Sequence, residues 1–148
     1  MTSDRYDTPP RVFTFAPTIE EVEQIAAEAL ASIPAEFRRH TANVRIHIEE
    51  FPTEEIEKAM ELESPFDLLG LYQGVSMAEK SVAHVANDID RVFLYRRPLL
   101  DYWIESGEDL THLVRHVLIH EIGHHFGLSD EDMDAIEAQA EALAAAQG

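Results

Sequence analysis

Five of the eight histidines fall between positions 112 and 125, and two of them stand four residues apart in His120-Glu121-Ile122-Gly123-His124. Residues four apart on a helix share a face, so these two imidazoles can grip one metal ion. Glu121 lies about 100° round the same helix from His120, where it can flank such an ion without being a ligand. Shuffling a chain of this composition produces roughly 0.05 matches to the five-residue pattern, so on its own it is only suggestive. The chain continues as His125-Phe126-Gly127-Leu128-Ser129-Asp130. Requiring Gly three residues past the second His, and His or Asp three further on, lowers the chance expectation to roughly 0.0003. The extended pattern is strong. A third ligand cannot come from the same helix face without crowding the first two. Gly127 can take the positive φ that ends a helix, so the chain doubles back and Asp130 reaches the ion. His120, His124 and Asp130 would then hold one zinc ion per chain at net +1, with the fourth position open. Glu121 is the expected general base, taking a proton from a water that the metal acidifies to a pKa of about 7.

Neighbouring residues carry weaker readings. His112, His116, His120 and His124 form a stripe at spacing four, so His116 and His120 are also an allowed pair. Position 117 is Val, however, and supplies that pair with no base. His116 therefore reads as a helix-surface residue, with support of the ligands as its alternative. His125 is near the Glu121 face and reads as structural rather than substrate-binding. Asp132 and Asp134 rival Asp130 as the third ligand, although caps and solvated acids are the plainer reading of both. If the last helix starts at Ser129, they lie about 200° and 40° further round than Asp130, which makes Asp134 the more serious rival. His47 falls on the polar side of a strand and reads as solvated. His40 and His84 carry no assignment.

Several elements must position this cluster. Ser106, with Asp109 three residues on, is placed to cap a long helix with Leu110, Leu113, Val114, Val117, Leu118, Ile122 and Phe126 on its apolar face. Gly127 stops that helix, and Ser129 begins a last one from Asp130 to about residue 146, with Met133, Ile136, Ala140 and Leu143 inward. Upstream, Thr18 and Glu21 form a capping box before a periodic helix that Pro34 closes. Val44, Ile46 and Ile48 alternate with polar residues as a strand. Thr53 to about Met60 is a short helix, and residues 68–74 form a second apolar stretch bounded by glycines. Arg91 to Arg97 is a third strand, ended by Pro98 and followed by a short helical turn over residues 99–104. Residues 75–90 show no period and read as a loop or ragged hairpin. Residues 1–17 read as a loose arm with a short extended piece at residues 12–15.

Composition bounds the partners. At 148 residues and 45% hydrophobic, the chain reads as one domain over 1–148 with a core of its own. A net charge of −18 opposes nucleic acid and anionic membrane surfaces. The absence of cysteine removes any thiolate ligand or nucleophile and suits a reducing compartment. No apolar run resembles a signal peptide or a span, so the expected location is cytoplasmic.

HEIGHHFGLSD, with LLGLYQG and RVFLYRRPLL ahead of it, resembles the short bacterial zincin-like metallopeptidases over roughly residues 44–134. The extended motif is also similar to that of the snapalysin-type zinc endopeptidases, whose third ligand is an Asp. The chain departs from the broader metzincin pattern, which has His at position 130 and a methionine turn that Met133 is too close to supply. The resemblance implies His120, His124 and Asp130 as zinc ligands and Glu121 as base. It also implies an α+β minimal zincin, with a small twisted mixed sheet of three to four strands, an active-site helix and a C-terminal helix. The expected function is zinc-dependent hydrolysis of a peptide or protein substrate. The alternative is a metal-binding protein of zincin fold that acts as a regulatory or interaction module without significant hydrolysis. An extended peptide is expected to lie against residues 92–95 as a candidate edge strand.

Overall fold

Thr18 accepts from the backbone N–H of Glu21, whose own carboxylate accepts from Thr18 N–H, so the expected capping box starts helix α1, Ile19–Ala31. The computed structural model describes residues 12–74 and 90–147. A turn of helix, α2 (Ala35–Arg38), follows Pro34. Strand β1 is Val44–Glu49, α3 is Glu54–Ala59 and β2 is Gly70–Gln73. Strand β3, Asp90–Tyr95, runs directly into α4, Arg96–Ser106. The long helix α5 is Leu110–His125, and α6 is Asp130–Gln147. The expected loop at 75–90 lies almost wholly outside the described residues, as does His84.

The sheet is mixed and three-stranded in the order β1-β3-β2, with β1 parallel and β2 antiparallel to β3. The expectation that residues 92–95 form an edge is therefore corrected. Val92 and Leu94 are fully buried and pair on both sides, as the centre of a sheet requires, and β2 is the edge nearest the motif helix. Alternation follows from the strand period of two: Val92 and Leu94 face the core, while His47 and Phe93 stack on each other at 5.4 Å. His47 is thus half-buried against an aromatic ring rather than solvated.

Helix α5 lies at the centre. Leu113, Val114, Leu118, Ile119 and Ile122 are buried, and Val22, Ile25, Ala26 and Ala29 of α1 belong to the same cluster. Each fully buried Leu or Ile contributes about 1.5–3 kcal/mol, enough to fix the helix that carries the motif. Three boundaries differ from expectation. Asp109, whose side chain accepts from His112 N–H, caps α5, whereas Ser106 ends α4. Pro98 does not stop a strand; it occupies the first turn of α4, where its missing N–H costs nothing. Residues 12–17 form no strand, yet they are anchored: Phe13 meets Trp103 edge-to-face and Arg96 donates to the Pro17 carbonyl. Among the described residues no helix is long and apolar enough to cross a membrane.

Candidate metal centre

The motif occupies the last turns of α5, and the turn beyond it is built as the glycine suggests. Gly127 has φ +75°, and Leu128 N–H returns to the Gly123 carbonyl, so the chain reverses and starts α6 beside α5. Ser129 and Asp132 exchange backbone-to-side-chain hydrogen bonds as a capping box at the start of α6. Asp132 is thereby committed to the cap. Gly123 lets the two helices approach, because a Cβ there would stand 2.5 Å from Met133 Sδ. Met133 is fully buried beneath the motif.

This reversal brings His120, His124 and Asp130 together, with one donor atom from each lying within 4.8 Å of the others. His124 Nε2 and Asp130 Oδ1 are 3.8 Å apart, too far for a hydrogen bond and close to the spacing of ligands around a tetrahedral ion. Two imidazoles and a carboxylate are a donor set that suits zinc, so the residues fit the ion expected from the sequence. Asp134 is not part of the cluster.

Glu121 points to the other flank and is held by the edge strand: Tyr72 N–H donates to its Oε1 at 3.1 Å. Burial pushes the Glu121 carboxyl above the usual carboxylate range, and the Tyr72 amide and the imidazoles of His124 and His120 only partly offset this. Tyr72 itself stacks on His125 at 3.9 Å and donates its phenol to the buried Asp90 carboxylate at 2.6 Å. Burial and Asp90 together raise the Tyr72 phenol, which keeps it protonated as a donor. His125 is thus a packing partner of the strand, as its structural reading anticipates.

One residue escaped the sequence reading. Glu137 places Oε2 2.9 Å from His120 Nε2 and Oε1 2.8 Å from His116 Nδ1. The available signal is its place seven residues past Asp130, two turns along the same face of α6. His116, read as a surface residue, is paired after all. Among the described residues there are therefore two groups able to hold an ion, His120–His124–Asp130 and His116–His120–Glu137, which have His120 in common.

None of the curated proteins searched matches the chain. The sequence model of the family described as zincin-like metallopeptidase matches residues 41–140, which run from just before β1 through the sheet, the motif helix and most of α6. That span contains every residue of the cluster just described, and it places this chain in the zincin-like metallopeptidase family.

Proposed function

We propose that the protein is a zinc-dependent peptidase in which His120, His124 and Asp130 hold the ion and Glu121 is the general base. The observation that supports this most directly is the Glu121 carboxylate, half-buried, raised in pKa and tied to β2 beside an open His–His–Asp set. A purely structural zinc site gains nothing from such a residue. Bound there, zinc would supply Lewis-acid polarisation of a substrate carbonyl and acidify a water. Glu121, on the flank of that site, accepts the proton of the attacking water and returns it to the leaving amine. Tyr72 N–H orients one carboxylate oxygen and leaves the other for that proton. A peptide substrate would run in extended form along β2, the edge strand beside the base.

A second reading, a metal-binding module without useful hydrolysis, draws on the openness of the site: His124 is 60% and Asp130 86% exposed. Glu121→Gln decides between the two. The variant should keep its metal and lose about 10²–10⁴-fold in peptide hydrolysis, measured on a peptide library with metal content checked in parallel. Undiminished turnover would remove Glu121 from its role, and a wild type that cleaves nothing would favour the second reading.

A further inference from the structure

We propose that His116, His120 and Glu137 form a second divalent transition-metal site, which competes with the first for His120. Glu137 is the natural centre of such a site. Its side chain is only 13% exposed, and it turns one carboxylate oxygen to each imidazole at 2.8 and 2.9 Å. A carboxylate between two imidazoles is satisfied by hydrogen bonds when both rings present N–H, and by a cation when both present lone pairs. The His116 and His120 rings, tilted by 33° with centroids 4.1 Å apart, bring both edges to the same carboxylate. One donor atom from each of the three residues lies within the 4.8 Å that the His120–His124–Asp130 group also satisfies.

The chemistry selects the ion. Two imidazoles with one carboxylate favour zinc, cobalt or nickel over calcium and magnesium, which demand oxygen ligands. The chain's −18 charge draws divalent cations towards the surface. Sharing sets the consequence. His120 Nε2 faces Glu137, so an ion held with Glu137 draws that ring away from His124 and Asp130. The inner site thus acts as a brake: a second ion seated there takes His120 and leaves the outer ion with only His124 and Asp130. This consequence for turnover rests on the peptidase reading, but the existence of the site does not.

The test uses cobalt(II) and reads absorption rather than hydrolysis. In the full chain carrying His124→Ala and Asp130→Ala, both exposed positions, cobalt should bind one ion per chain with the visible bands of a low-coordinate site. Adding Glu137→Gln or His116→Ala should weaken that binding at least about 10–100-fold. Wild type should take a second equivalent of cobalt only weakly, and His116→Ala alone should abolish that second phase while leaving the first. The site is overturned if the double variant binds no cobalt, or if binding persists unchanged after Glu137→Gln. Loss of the second phase in wild type by His116→Ala stands as an independent support should the double variant fail to fold. A failure of the peptidase reading would leave all of these bands in place.

Discussion

The two ends of the α5–α6 seam use the same residue types to opposite effect. At the outer end, where Gly127 turns the chain, His124 and Asp130 are mostly exposed, and their nearest donor atoms stand 3.8 Å apart with no hydrogen bond between them. One turn inward, His120 and Glu137 are 21% and 13% exposed and meet at 2.9 Å. A further two turns in, His112 Nδ1 lies 2.6 Å from Glu141 Oε1. The histidine stripe on one helix faces a carboxylate stripe on its antiparallel partner, and only the spacing changes along the seam. The lesson is that ligand readiness depends on unmet valence. Glu137 satisfies His116 and His120 by hydrogen bonds and zips the helices together, so an ion would have to displace those bonds there, whereas the outer set is held apart by the turn and is the first open to an ion.

The largest effect should come from His120→Ala, which removes the one ring common to both groups. Metal content measured by atomic absorption on chelator-free protein should fall to background. Full occupancy would mean that neither group binds as described.

A smaller effect separates the rivals for the third ligand at the outer end. In a His116→Ala background, which leaves only the outer set intact, Asp130→Ala should weaken zinc binding at least about 10–100-fold in a chelator competition. Asp134→Ala should change it much less. If Asp134→Ala releases the metal instead, the assignment of Asp130 fails.

The smallest effect concerns the buried acid beside the outer end. Because burial raises the Glu121 carboxyl in the fold, the stabilising proton is fully held below the unfolded value of about 4.3. It is lost as pH rises through the folded value, so the metal-free wild type loses stability over that window. The Glu121→Gln protein carries no such charge and keeps the Tyr72 hydrogen bond. Thermal melts of both proteins in chelator, from acid to neutral pH, should diverge in favour of the variant as pH rises. A constant difference would show that burial does not strain this carboxylate.

Much of this was legible before any coordinates. Local signals found their elements: the Thr18 box, the alternation of β1, the glycine stop at 127 and the Ser129 start are all set by residues within a few positions of the event they control. Asp130 could be named because one glycine turn fixes its distance from His124. Glu137 could not, since its meeting with His120 depends on how two helices pack, and no short-range spacing encodes that packing. The edge of the sheet was misjudged for the same reason. A run as apolar as Val92–Tyr95 fits an edge or a centre, and only the parallel pairing with β1 decides. The cap of α5 failed on a finer point, where two acceptors three residues apart competed and the chain used the second.

The contact between Gly123 and Met133 reaches further than core packing. His116, His120 and His124 face carboxylates of α6 across a gap that this contact helps to set, since a carbon added at position 123 would collide with the sulfur. A bulkier residue at 123 would push the helices apart and lengthen the pairs along the seam together. The glycine inside the motif therefore keeps the histidines and carboxylates of the two helices within reach of each other, although it contacts none of them.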